Sequence, residues 1–467
     1  MQNKFVLLFC SAMMLGAVSC SNEDLVLEPA ELKPQIKFSQ EEYQFLDKLY
    51  GSKTVSIEDA MQLVVDSPFD YPKTRSGEAD VNEIKYITKS NIYDIPDNVL
   101  SVLPDTIAYV FRTADEKCMI VSSDYRVSNP VMGYINTQDL YPYDFGKNDL
   151  SIRDILIESI ANYTYHEILE FENKKDSMDM VIQNKISASN NTRGESVTIE
   201  GDIITIRHYD YYLPNDTTTV GPLLHLAWDQ GSPYNDDIQN RGTCNDPNYY
   251  YEVATGCAQI AAGMILTYWK YPQQLLNQSV YFPINWDVLS SSYNDEDSQG
   301  FPYDMEAAGL MAIINYHTTK NYGCETTVDE DDFYSWLSNI GYKYEKINGY
   351  NYNKVKASLD NGRPVFTIGK GAVGNYGHAW VIDGYKTVKK SRHVVITQVN
   401  QVTHEVHEYD GGFEYEYEKY LNHNWGKKRP TCWLIEGFFW CHQDTPENQQ
   451  LQYTFNRDMR MLVNLRP

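Results

Sequence analysis

Residues 255–272 constrain this chain more than any other stretch. From Ala258 to Trp269 they are small or apolar with no proline, and Pro272 stops the run. That pattern predicts one buried helix, entered through Thr255-Gly256. Cys257 falls in its first turn, where unpaired N–H groups and the helix dipole favour negative charge. A thiol placed there is expected to lose its proton more readily, and the thiolate is the nucleophile. A lone cysteine at a helix start can equally be a small, inert core residue, so the reading depends on what the rest of the chain supplies.

A thiolate nucleophile needs a base, an orienter for that base and donors for the oxyanion. Gly377-His378-Ala379-Trp380-Val381-Ile382-Asp383-Gly384 puts one His at the head of an apolar strand. Asn424-Trp425-Gly426 supplies an amide beside an indole, and Trp228-Asp229-Gln230 supplies a Gln upstream of the Cys. Asp383 could orient His378 in place of Asn424. The order Gln, Cys, His, Asn-Trp is that of papain-like cysteine peptidases, whose roles are carried by geometry.

Four ordered motifs make the likeness specific. Trp228-Asp229-Gln230 with Pro233-Tyr234-Asn235, Thr255-Gly256-Cys257-Ala258 with Tyr268-Trp269-Lys270-Tyr271-Pro272, the Gly377-His378 segment, and Asn424-Trp425-Gly426 together resemble the streptopain family of cysteine peptidases. The resemblance spans about residues 220–440. It implies Cys257 as nucleophile, His378 as its partner and Gln230 as an oxyanion donor. It also implies Asn424 as orienter of the imidazole, with Trp425 shielding that hydrogen bond. One departure follows Gly426, where Lys427-Lys428-Arg429-Pro430-Thr431-Cys432-Trp433 stands in place of the family's glycine-rich loop.

The chain begins with Lys4, an apolar run over 5–18 and Ser19-Cys20. This is too short for a stable membrane span and reads as a secretory signal. Small residues before Cys20 resemble a bacterial lipoprotein cleavage site, which implies a lipid on Cys20 and a place on the cell envelope, surface-exposed or released after processing. With 39 basic against 64 acidic residues and a net charge of −25, nucleic acid is excluded as a partner, since phosphate binding wants basic patches. Besides Cys10 and Cys20, six cysteines are scattered over the chain, too sparse for a disulfide framework. Cys432 and Cys441 are close enough in sequence to bridge around a loop.

Residues 21–38 read as a tether, and 39–50 and 56–65 show helical spacing, with Ser56 and Asp59 placed as a capping box. Strands are expected over 106–113, 118–123 and 131–135, and an amphipathic helix over 151–173. This α+β segment carries no catalytic motif, and Met119-Ile120-Val121-Ser122-Ser123-Asp124-Tyr125-Arg126 with Pro130-Val131-Met132-Gly133-Tyr134 resembles the pro-region of streptopain-like enzymes. Residues 187–196 are small and polar, a linker open to proteolytic activation. Residues 197–210 alternate as a short strand pair. Beyond the nucleophile, helices are expected over 305–317, 331–340 and 353–359, then strands around His378. His404-Glu405-Val406-His407 lacks metal-ligand spacing. With Asp410-Gly411-Gly412 as a turn and residues 413–418 alternating, it predicts an aromatic hairpin with a solvated charged face.

The expected organisation is a signal over 1–20, an inhibitory pro-domain over 21–186, the linker, and a two-lobed papain-like catalytic domain over 197–467, α+β throughout. The expected activity is that of a cysteine endopeptidase made as a zymogen. It acts on protein or peptide substrates, is inhibited by its own N-terminal segment, and needs no cofactor or metal. The contrasting reading is an impaired surface lipoprotein that binds protein or glycan.

Overall fold

A computed structural model describes residues 53–74, 79–92, 96–115, 117–135, 152–190, 203–226, 228–242, 244, 253–291, 300–370, 377–400, 406–426, 432–439 and 457–467. The signal, Cys20, the tether, the helix expected over 39–50 and Cys441 lie outside them.

The N-terminal segment contains helix α1 (Ile57–Val65), strand β1 (Val81–Thr88), helix α2 (Asp97–Val102), strands β2 (Thr106–Thr113), β3 (Cys118–Ser122) and β4 (Val131–Ile135), and helix α3 (Ile152–Asn190). The Ser56 side chain accepts from the Asp59 N–H at the start of α1, as the capping pattern requires. Strand β5 (Ile203–Val220) follows. Next come helix α4 (Cys257–Trp269), hairpin β6 (Gln274–Asn277) and β7 (Val280–Pro283), and helices α5 (Trp286–Ser290) and α6 (Tyr303–Thr318). Strands β8 (Thr319–Asn321) and β9 (Thr327–Val328) form a second hairpin before helix α7 (Glu330–Asn339), strand β10 (Lys343–Asn348) and helix α8 (Tyr352–Asp360). The chain closes with β11 (Val365–Lys370), β12 (Gly377–Asn400), β13 (Val406–Asn424), β14 (Cys432–Ile435) and β15 (Arg457–Arg466). The class is α+β, as expected.

One antiparallel sheet runs through both halves, in the order β1-β2-β3-β4-β14-β13-β12-β11-β15-β10, with β5 also paired to β12. Its central strands are buried on both faces, so successive residues enter different cores. Trp380, Ile382, Val365 and Met461 join the core of the N-terminal segment. Ala379, Val381, Phe366 and Leu462 join the core built on α4, α6 and α7. The N-terminal segment and the catalytic part are thus sewn together by hydrogen bonds and by a shared apolar layer.

Several elements differ from expectation. Helix α3 continues to Asn190, past residue 173 and into the first residues of the expected linker. No Gly or Pro interrupts 152–190, so nothing local stops it. Its stretch 156–166 is buried on every face, Glu158, Asn162 and His166 included, so it is not amphipathic there. Of the short strand pair expected over 197–210, residues 197–202 lie outside the described residues, and from Ile203 the chain is one long strand, β5, laid along β12. The turn expected at Asp410-Gly411-Gly412 is instead a bulge inside β13: Val394 pairs with Gly412 while Val395 pairs with Asp410. The outward face is also reversed, because Phe413, Tyr415 and Tyr417 are 44, 43 and 54 % exposed. Glu418 on the same strand is buried against Lys390 at 2.6 Å. A lysine accounts for part of this, since Lys389 Nζ lies 4.1 Å from the Tyr415 ring centre and covers the ring.

The seam between the halves is β4 against β14, with Gly133 opposite Leu434. A Cβ on Gly133 would stand 2.7 Å from Leu434 Cδ2 and 3.0 Å from the Trp433 carbonyl. Gly133→Val is therefore expected to lower the melting temperature of the full chain, at an overpacking cost of about 1–3 kcal/mol. Adding Leu434→Ala should return part of the loss, because the tightest clash is with the end of that side chain. A Gly133→Val chain that melts with the parent would show that the seam is looser than described.

Candidate active site

Helix α4 is buried from Ala258 to Thr267, which fixes its N-terminus against the sheet. Cys257 there is half-buried, and its Sγ accepts the Ala379 N–H at 3.3 Å. The thiol therefore meets β12 one residue beyond His378. Burial pushes the Cys257 thiol above its ordinary range, more than the N–H groups of Ala379, Ala258 and Cys257 itself pull it down, and the charge of Glu325 pushes the same way. This overturns the expectation of a readily ionised thiol. A helix N-terminus contributes about 0.3–1 kcal/mol, less than the ~1.4 kcal/mol that shifts a pKa by one unit, whereas burial can shift a group by several units. Deprotonation here requires a base.

The His378 ring is half-buried and stacks on two indoles, with ring centres 5.2 Å from Trp425 and 6.2 Å from Trp380. Trp380 and Trp425 stack on each other at 4.6 Å, and Phe439 stands edge-on to Trp425 at 5.3 Å. Aromatic pairs of this kind contribute about 0.5–1.5 kcal/mol each beyond burial, so the imidazole lies on a stiff plate. Trp380 Nε1 also donates to His423 Nδ1 at 2.9 Å. Burial pushes His423 down to about 3, which leaves it a neutral acceptor.

Asn424 is buried, donates to the Leu226 carbonyl at 2.9 Å and accepts the Gly426 N–H at 3.0 Å. These bonds hold the turn that carries Trp425 and tie it to the segment leading to Gln230. Gly426 has φ +82°, and a Cβ there would lie 2.2 Å from the Trp228 carbonyl, so only glycine fits. Gln230 is half-buried, and its carbonyl accepts the Thr255 N–H at 2.9 Å, two residues before the nucleophile. Asp383 sits elsewhere: its carboxylate accepts from the Leu224 N–H at 3.0 Å and from Asn422 Nδ2 at 2.7 Å. Engaged in this way, Asp383 is a structural clasp between β12, β13 and the segment at Leu224.

Three features of the site were not visible in sequence. The Ala379 N–H needs a register to place it. The aromatic plate under His378 gathers Trp380, Trp425 and Phe439 from separate strands and a turn. A disulfide, Cys244–Cys324, spans 80 residues of sequence and anchors the loop beside Ala254. Only paired cysteines at that spacing could have hinted at it. Residues 427–431 and 371–376, which include much of the departure after Gly426 and of the glycine-rich run before His378, lie outside the described residues. Cys432 and Trp433, the end of that departure, enter β14. Among the described residues no cluster of metal-ligating groups is present.

Residues 228–429 match the Peptidase C10 family. No curated protein matches the chain. Among solved structures, a mutant fragment of prointerpain A from Prevotella intermedia is 16% identical, with a TM-score of 0.41, covering 77% of this chain and 96% of the fragment. The active wild-type interpain A cysteine protease of the same organism is 17% identical, with a TM-score of 0.34, covering 53% of this chain and 96% of that one.

Burial pushes Asp383 up to about 7 from an ordinary 3.8, against the lowering bonds from Asn422 and Leu224. The folded chain thus holds a proton that the unfolded chain gives up near pH 4. The resulting stabilisation is full below about pH 4 and is lost as pH rises through about 7. The melting temperature of the parent should therefore decline between pH 5 and 8 more steeply than that of Asp383→Asn. Equal slopes in the two chains would show that Asp383 is ionised throughout.

Proposed function

We propose, on the match of residues 228–429 to the Peptidase C10 family, a cysteine-type endopeptidase made as a zymogen, whose hydrolysis runs through Cys257 and His378. One observation carries the assignment: the Cys257 Sγ is seated on the N–H of the residue after His378. His378 takes the thiol proton, and the thiolate attacks the scissile carbonyl. The imidazolium then protonates the leaving amine, and water, activated by the same imidazole, cleaves the acyl-enzyme. Gln230 stabilises the oxyanion. Asn424 and Trp425 hold the imidazole in place, Trp425 by stacking and Asn424 through the turn it ties down.

The N-terminal segment is the inhibitor, and its reach to the site is physical. Tyr163 on α3 lies 6.1 Å from the Phe438 ring, Phe438 lies 5.0 Å from Phe439, and Phe439 packs on Trp425 beneath His378. A shift of α3 is felt at the imidazole. Cleavage between 187 and 196 begins activation, but the β4–β14 seam holds the segment in place until it is degraded. The substrate is protein or peptide, and the chain sits on the cell envelope through a lipid on Cys20, or is released from it by processing.

Cys257→Ser should leave no measurable peptide hydrolysis and His378→Ala should cost about 10²–10⁴-fold, with unchanged melting. Gln230→Ala should lower kcat by about 10²–10³-fold with little change in KM, and Asn424→Ala should cost less than loss of His378. Retained activity in both the Cys257 and His378 variants would rule out the pair. After a single cut in the linker, the two pieces should co-elute on gel filtration with activity still low, rising only as the N-terminal piece is digested. A full rise on nicking alone would mean that the segment leaves at once. Mass analysis of the mature N-terminus should find a lipidated Cys20 and none in Cys20→Ala.

A further inference from the structure

The loop between β8 and β9 is fastened to the segment that leads into α4. The Gly323 carbonyl accepts the Ala254 N–H at 2.9 Å, and Thr326 Oγ1 donates to the Ala254 carbonyl. The Thr326 carbonyl faces the open side of Gly256, 3.1 Å from where a Cβ would stand. Cys324 is bonded to Cys244. Residues on both sides of Glu325 are therefore fastened to the segment that runs directly into Cys257, while Glu325 itself is exposed. Lys320 on the same hairpin is engaged by Asp329 at 3.6 Å, and no described cation forms an ion pair with Glu325. Its charge is felt at the thiol, more weakly than burial or the N–H donors of Ala379, Ala258 and Cys257.

An exposed carboxylate on a loop tethered to residues 254–256 places negative charge next to the approach to Cys257. We propose that Glu325 is a specificity-determining residue that selects substrates carrying a Lys or Arg side chain next to the scissile bond. This rests on the cysteine-peptidase reading of the same site. The effect is electrostatic steering and ground-state attraction at a partly solvated position, so it is modest and salt-sensitive. The disulfide gives it direction, because a carboxylate on a tethered loop keeps its place while a substrate binds.

Two readouts test it, thiol modification on the full chain and peptide hydrolysis on the enzyme whose N-terminal segment has been digested. The first is the rate of Cys257 modification by a cationic (trimethylammonioethyl) and an anionic (sulfonatoethyl) methanethiosulfonate, followed by peptide mapping. The ratio of the two rates cancels any change in thiol ionisation. The parent should favour the cationic reagent. Glu325→Gln should cut the ratio about fivefold, Glu325→Lys should invert it, and ~1 M salt should bring the parent towards unity. The second readout is kcat/KM on peptides differing only in a Lys, Gln or Glu beside the cleaved bond. Glu325→Gln should lose about fivefold on the Lys peptide and stay within about twofold on the Gln peptide. A reagent ratio unmoved by both substitutions overturns the proposal. If the ratio responds while the parent cleaves none of the peptides, charge selection at Cys257 stands and the peptidase reading falls.

Discussion

The arrangement depends on β12 being buried on both faces. A strand that is wet on one side can carry a catalytic residue, but its position is then set by one layer of contacts. Here Ala379 and Val381 are pressed by the core of α4, and Trp380 and Ile382 by the core of the N-terminal segment. The larger of these side chains contribute about 1.5–3 kcal/mol each, and none can slide without opening a void in one core or the other. The nucleophile helix reads its position from one face of this strand, through the Ala379 N–H on Sγ. The imidazole plate is assembled on the other. Register on β12 therefore sets the relation between the two halves of the chemistry.

The chemistry of the thiol follows from the same burial. A helix N-terminus alone favours a thiolate, yet the helix that provides it is sunk into the protein, and desolvation outweighs the dipole. A thiol that does not ionise unaided stays quiet until a base and a substrate are both in place.

Much of this was legible beforehand. The Ser56–Asp59 cap, the strands over 106–113 and 131–135, and the helix from Cys257 follow from period and capping, which are local. The order of Gln230, Cys257, His378 and Asn424 pointed to the catalytic constellation because each residue sits in a motif with its own neighbours. What was not legible depends on distant partners. Gly411-Gly412 reads as a turn in isolation, and becomes a bulge only because β5 and β13 both pair along β12. Residues 187–190 read as linker, and are helical because nothing upstream breaks α3. The Cys244–Cys324 bond and the role of Asp383 as a clasp both require residues far apart in sequence. The outward turn of Phe413, Tyr415 and Tyr417 could not come from alternation, which says that faces differ but not which face is wet.

The β4–β14 seam also has a consequence for the order in which the protein comes into being. Residues 131–135 are made some three hundred residues before 432–435, so during synthesis the far edge of β4 waits for a strand that does not yet exist. An open edge is a template for pairing with other chains, and long-range pairing is slow to form. Since Trp425, Phe438 and Phe439 lie on either side of that late strand, the plate beneath His378 closes only when the sheet does. The last step of assembly therefore sets the His378 ring and the N-terminal segment against the same closed sheet.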